Sequence, residues 1–283
     1  MNILSIQSAV AYGHVGNSAA VFPLQRIGHE VWPVYTVNYS NHTGYGQWKG
    51  PMIPAADVAS VIDGMDERGA LARVDAVLSG YQGGDDIADV IIDAVARVKA
   101  QNPDAVYACD PVMGNAKSGC HVSDNIPPLL RDKVVPVADI ITPNQFELGY
   151  LTGMEAGDLS STLSAVEAAH EMGPATVLVT SVERPEADTE NSIEMLVSDP
   201  KGAWLVQTPR LPFKRNGSGD VTAALFTGHY IRTGDASEAL ARTASSVFSL
   251  LEATFEADSP ELLLVEAQEF YAHPKMQFSV DEL

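Results

Sequence analysis

Short apolar, β-branched runs alternate along the chain with longer stretches in which apolar residues return every three or four positions. The short runs predict strands over 3–7, 31–37, 76–78, 105–109, 139–141 and 176–179. Residues 193–198 and 203–208 flank Asp199-Pro200-Lys201-Gly202 and predict a hairpin. Helices are expected from Asn17, as a cap, toward Gly28, and over 57–68, 85–99, 160–172, 220–231 and 237–251. In 85–99, Ile87, Val90, Ile91, Ala94, Val95 and Val98 share one face. Pro23 has no N–H to donate and predicts a kink in its helix.

Repeated strand–helix units imply an α/β fold with a mostly parallel sheet and helices on both faces. No fixed-period repeat, low-complexity tract or linker interrupts it, so residues 1–283 are expected to form a single domain. In such sheets ligands bind beyond the carboxyl ends of the strands. The polar residues expected there are Ser8, Ser79, Asp110, Thr142, Asn144 and Thr180.

Composition narrows the partners. Apolar residues make up 46% of 283, enough for a large core. Asp+Glu number 37 against 17 Lys+Arg, a net charge of −20 that argues against nucleic acid or an anionic membrane surface. A small phosphate ligand remains compatible, because backbone amides and Mg²⁺ can hold one. Cys109 and Cys120 cannot build a disulfide framework and are expected as reduced thiols. The first residues lack a basic n-region and no run of 18 apolar residues occurs, so a cytoplasmic protein is expected. Asn41-His42-Thr43 and Asn216-Gly217-Ser218 match the glycosylation sequon and, without a secretory signal, read as chance matches.

Several chemistries are missing. There is no Gly-Lys dipeptide and so no P-loop lysine, no His-Glu-x-x-His, no Cys-x-x-Cys and no Gly-x-Ser-x-Gly. The densest signal is Asn216-Gly217-Ser218-Gly219-Asp220 at the mouth of an apolar helix. Glycines let consecutive N–H groups converge, and a helix N-terminus adds partial positive charge, so an anion can be held without a lysine. Asp220 beside that anion can accept a proton from an attacking hydroxyl, although a glycine turn with an aspartate cap explains the same letters. Lys214 and Arg215, just upstream, are candidates for a phosphate contact or a solvated loop. Asp110-Pro111-Val112-Met113-Gly114-Asn115 places a carboxylate at a strand exit. Thr142-Pro143-Asn144-Gln145-Phe146-Glu147 offers further oxygen ligands and equally matches an Asn–Glu capping box. Ser40-Asn41-His42-Thr43-Gly44-Tyr45-Gly46 suits a loop that contacts an aromatic polar ligand, or a solvent loop.

Taken in order, Ser8, Gly13-His14-Val15-Gly16-Asn17, Ser40-Asn41-His42-Thr43-Gly44-Tyr45, Leu78-Ser79-Gly80-Tyr81, Cys109-Asp110-Pro111-Val112-Met113-Gly114, the 138–147 segment and Gly217-Ser218-Gly219-Asp220 resemble the pyridoxal kinases of the ribokinase-like superfamily. The likeness runs from about residue 2 to about residue 231. It implies a three-layer α/β/α fold and phosphorylation of pyridoxal at its 5′-hydroxyl by ATP. By the same resemblance Asp220 is the general base, and the amides of Gly217, Ser218 and Gly219 form the anion hole. Ser8, His42, Thr43, Gly44 and Tyr81 face the substrate. Asp110, Asn115, Asn144, Glu147, Thr180 and Ser181, with Ser218 and Gly219, face the nucleotide. Asp110, Thr142 and Glu147 organise Mg²⁺, and Asp110 with Thr142 a K⁺ ion. A homodimer is implied as well.

The chain departs from the family pattern at Ser218, where Thr or Val is common, and at Thr180, where some relatives carry Lys. The readings left open are a hydroxymethylpyrimidine or sugar/nucleoside kinase of the same fold, and a non-catalytic B6-binding protein. A dehydrogenase is excluded, since no Gly-x-Gly-x-x-Gly follows the first strand.

Overall fold

The computed structural model describes residues 1–185, 187–275 and 277–283. The chain opens with β1 (Asn2–Val10), α1 (Asn17–Arg26), β2 (Glu30–Tyr39), α2 (Ala55–Glu67), β3 (Ala76–Ser79), α3 (Ile87–Gln101) and β4 (Val106–Cys109). A two-residue hairpin follows, β5 (Gly114–Asn115) with β6 (Gly119–Cys120), then α4 (Ile126–Leu129), β7 (Ile140–Ile141), α5 (Gln145–Thr152), α6 (Leu159–Glu171) and β8 (Thr176–Val182). The last part comprises the hairpin β9 (Ser192–Asp199) and β10 (Gly202–Pro209), then α7 (Ser218–Thr233), α8 (Ala236–Glu256), α9 (Gln268–Ala272) and β11 (Asp281–Glu282).

The main sheet runs in the order β11-β10-β9-β8-β7-β4-β3-β1-β2. Pairings from β2 through β8 are parallel, and β9, β10 and β11 join antiparallel. Each parallel pair is joined by a helical crossover, as parallel strands require. Consecutive strand residues point to opposite faces, so each strand feeds two cores. Leu4, Val77, Tyr107, Cys109, Ile141, Val177 and Val179 pack with Val58 and Ile62 of α2, Ile91 and Val95 of α3, Leu148 of α5 and Val166 of α6. Ile3, Leu78, Ala108, Ile140 and Leu178 pack on the other side with Leu24 of α1, Phe226 of α7 and Leu240 of α8. This is the expected three-layer α/β/α arrangement.

One local expectation changes. Asn17 is the first residue of α1, not its cap: Gly16 holds the cap position with φ 52°. The Asn17 side chain turns inward instead. Its Nδ2 donates to the carbonyls of Ser5 (3.3 Å), Gln7 (3.1 Å) and Val34 (3.1 Å). The helix also runs on through Pro23 as one element. The short strands β5, β6 and β11 were not foreseen, because two residues carry no periodicity. Residues 49–53 fold back along the free edge of β2, with the N–H of Asn38 donating to Pro51 O (3.0 Å) and that of Ser40 to Lys49 O (2.7 Å). That return caps an otherwise open sheet edge. It also sets the 41–48 excursion beside the strand ends. Among the described residues no helix is long and apolar enough to cross a membrane.

Candidate active site

The parallel strands end at one rim of the sheet, over a cavity of about 580 Å³. Ser8 reaches it from β1. The β1–β2 register jumps there, Gln7 pairing with Tyr35 but Ala9 with Asn38. The three carbonyl bonds made by Asn17 hold the surrounding strands around this jump. Gly16 packs so closely that a Cβ on it would lie 2.3 Å from Ser8 Oγ. Only glycine fits there, and its positive φ is one that glycine adopts without strain.

Asp220 arrives from the opposite side. Gly217 caps α7 at φ 87°, so Ser218, Gly219 and Asp220 form its first turn. The first helical bond there is from Val221 N–H to Gly217 O (2.9 Å), which leaves the three earlier N–H groups without helical acceptors. The Asp220 carboxyl is pushed up to about 6 by burial, against the N–H groups of Gly16 and of Asp220 itself, which hold it down. Its accessible portion opens into the cleft.

Asp110 follows β4, and its N–H donates to Ser79 O (2.9 Å). Burial drives its carboxyl well above the usual range, and the charges of Glu147 and Asp220 add to this. Glu147 completes a capping box: its N–H donates to Asn144 Oδ1 (3.0 Å), and its Oε2 accepts from Asn144 N–H (2.9 Å). Its Oε1 accepts from the N–H groups of Met113 (2.8 Å) and Gly114 (3.2 Å). Burial still pushes it up to about 7 against these donors, with the charge of Asp220 a smaller contribution. The capping reading and the site reading are therefore both true of these residues: the box holds Glu147 rigidly on the cleft wall. Thr142 Oγ1 is buried close enough to Asp110 to lower its carboxyl slightly, yet closes no well-formed hydrogen bond with the protein.

On the substrate side, residues 43–45 form a single 3₁₀ turn capped by His42, whose Nδ1 accepts from Gly44 N–H (3.0 Å). Acting as acceptor requires a neutral ring. Burial lowers the pKa of His42, the charge of His121 adds to that, and Glu261 opposes it.

Ser8, His42, Thr43, Gly44, Tyr81, Asp110, Asn115, Thr142, Asn144, Glu147, Thr180, Gly217, Gly219 and Asp220 all line this one cavity. Two expected residues do not. Ser181 is exposed at φ 53° beside the β8 bulge, and the Ser218 hydroxyl turns back to donate to Arg215 O (3.3 Å). Ser218 offers its main-chain N–H alone. Lys214 and Arg215 are not on the cavity wall either. Arg215 spans loops, with Nε donating to Ser259 O (2.6 Å) and its guanidinium 4.8 Å over the Phe213 ring.

Sequence reasoning passed over His121, Ser118 and an apolar wall of Val10, Val15, Val37 and Tyr39. Val10, Val37 and Tyr39 of that wall are ordinary strand residues, and Val15 lies in the loop after β1. His121 and Ser118 ride on the β5–β6 hairpin, whose one sequence cue was its pair of glycines, Gly114 and Gly119.

The phosphomethylpyrimidine kinase family model matches residues 71–261. Pyridoxal kinase PdxY of Corynebacterium diphtheriae is 75% identical over 283 residues, covering all of both chains. The chain belongs to the pyridoxal kinase family. PdxY of Leifsonia xyli is 69% identical over the same full length. Among solved structures, pyridoxal kinase from Leishmania donovani in complex with ADP and ginkgotoxin superposes with a TM-score of 0.93 at 30% identity, covering 100% of this chain and 99% of that one. The same enzyme with ADP and pyridoxine gives 0.92 at 30% identity and the same coverage. The chain therefore has the ribokinase-like fold and is a kinase.

Proposed function

We propose that the chain transfers the γ-phosphoryl group of ATP to the 5′-hydroxyl of pyridoxal, and of related B6 vitamers. One observation carries the reading: Ser8 at the β1 tip and Asp220 in the first turn of α7 face a single cleft. Ser8 then meets the pyridine nitrogen side of the ring, and Thr43, Gly44 and Tyr81 flank it, with His42 beside them. Asp220 takes the hydroxyl proton as the new O–P bond forms and the bond to ADP breaks. The N–H groups of Gly217, Ser218 and Gly219 supply fixed partial charge to the phosphoryl oxygens. Asn115, Asn144, Glu147 and Thr180 line the nucleotide side. That the Leishmania relative was solved with ADP and B6-type ligands supports the pairing of substrates.

Among the described residues no cluster of three or more side chains forms a direct metal cage. The donor set still suits Mg²⁺, which takes few protein carboxylates and completes its shell with water and phosphate. The charge of Glu147 raises the pKa of Asp110, that of Asp220 raises both, and a cation would offset this repulsion. Asp110 and Glu147, the latter already accepting three main-chain N–H groups, would hold the ion, which when bound would neutralise charge on the phosphate oxygens. The unpartnered Thr142 hydroxyl beside Asp110 fits a K⁺ ligand. A cytoplasmic homodimer completes the proposal.

The phosphomethylpyrimidine kinase match favours a second reading, a hydroxymethylpyrimidine kinase. A coupled ADP-release assay with pyridoxal, pyridoxine, hydroxymethylpyrimidine and ribose, with and without Mg²⁺ and K⁺, separates the two. The fastest Mg²⁺-dependent turnover is expected with a B6 vitamer. A faster rate with the pyrimidine or the sugar overturns the proposal.

A further inference from the structure

The loop that carries His42, Thr43 and Gly44 is held outside the cleft by Tyr45, whose ring packs on Tyr12 with centroids 6.3 Å apart. Tyr45, 49% exposed, donates its hydroxyl to Glu261 Oε1. The other oxygen of Glu261 accepts from His14 N–H (3.2 Å), in the loop after β1. The carboxyl lies directly on Gly13, where a Cβ would come within 2.7 Å of it and where a φ of 88° itself favours glycine. Glu261 is itself anchored. Its carbonyl accepts from Ser259 Oγ (2.6 Å), and Arg215, just before the α7 turn, holds Ser259 O (2.6 Å). Its neighbour Leu262 packs behind Gly217. The 3₁₀ turn 43–45 is short and stiffened by the His42 cap, so pinning Tyr45 fixes Thr43 and Gly44 as well.

We propose that Glu261 is a positioning residue, latching the 41–46 loop through Tyr45 onto the frame that carries the anion hole, so that the vitamer side of the cleft is preformed. The inference rests on the B6 kinase reading and deepens it. Neither Tyr45 nor Glu261 lines the cleft, so Tyr45 acts through loop position, and Glu261 through loop position and its charge on His42. A loop that must be ordered by each arriving substrate lowers affinity by the fraction of time it spends closed, while the chemical step in the closed complex is unchanged.

The test is steady-state kinetics and thermal melting of the full chain with Tyr45→Phe, Glu261→Gln, Glu261→Ala and the double variant Tyr45→Phe/Glu261→Ala. Tyr45→Phe is expected to raise KM for pyridoxal by about fivefold, the scale of one charge-assisted bond at a half-exposed site. It should leave KM for ATP unmoved and kcat within about twofold. Glu261→Gln, which keeps an acceptor oxygen, should retain more affinity than Glu261→Ala, and the double variant should be no worse than the weaker single one. An unmoved pyridoxal KM in Tyr45→Phe, a parallel rise in both KM values, or multiplicative losses in the double variant overturns the latch. Should Glu261→Ala fail to fold, Tyr45→Phe still decides, since it deletes one oxygen from an exposed side chain. Absence of pyridoxal-dependent ADP release by the unaltered chain defeats the functional reading instead, so the two failures are distinguishable.

Discussion

Gly217 backs onto His14 so closely that a Cβ on the glycine would lie 1.8 Å from the His14 carbonyl oxygen. Through this contact the turn that opens α7 is seated against the loop that follows β1, and the two halves of the cleft share a wall. The φ of 87° at Gly217 adds a second reason for glycine.

Gly217→Ala is therefore expected to lower the melting temperature by several degrees and to cut kcat at least about tenfold, since backbone must move to admit the methyl. Gly219→Ala is the control. Among the described residues nothing beyond its chain neighbours and its own helix backbone lies within 4 Å of its Cβ position, so melting should not fall and any loss should be in ATP affinity or rate. Equal melting temperatures for the two variants would sink the argument.

Removal of the base is the direct test of the chemistry. Asp220→Ala should reduce kcat at least about a hundredfold with only a modest change in KM for pyridoxal, because proton transfer matters in the transition state more than in the ground state. Near-normal turnover in that variant would refute the assignment.

The acid limb of the rate profile follows from the same residue. Asp220 must be ionised to accept a proton, and its carboxyl is raised to about 6 by burial. kcat/KM should thus fall as pH drops through about 6, approaching tenfold per pH unit, after allowance for titration of the vitamer itself. The nearby carboxyls of Glu147 and Asp110 are also raised, so the limb reports the cluster and not one group. A profile that stays flat down to pH 4.5 contradicts it.

Two buried histidines outside the cleft contribute to acid stability. His29 and His229 are buried, and both are lowered to about 4, burial being the largest cause and nearby arginines the next. Their folded values lie below the unfolded 6.5, so the unfolded chain binds protons first. The stability this represents is complete above pH 6.5 and is lost as pH falls toward 4. Asp110, Glu147 and Asp220, with raised carboxyls, oppose this loss over the same window, so the test is the difference between variants: on going from pH 6.5 to 4 the melting temperature of the unaltered chain should fall more, or rise less, than that of His229→Gln. Identical shifts would show that other groups set the pH dependence.

The alternation of apolar runs, the helical face of 87–98 and the turn at 199–202 were enough to place the helices of ten residues or more and the strands they connect, though not α4, α9 or the body of α5, because period and turn chemistry are local. The Asn144–Glu147 box was legible for the same reason: its partners are three residues apart. The tie from Glu261 to Tyr45 and His14, the inward turn of Asn17, the apolar wall of Val10, Val15, Val37 and Tyr39, and the outward placement of Ser181 were not legible. Each depends on which distant segments the sheet order brings together. The letters of the chain determined which residues could accept a proton or cradle a phosphate, since that is side-chain and turn chemistry. Only the tertiary structure decided which of them share one buried cleft, because desolvation and close approach are created when the chain folds around them.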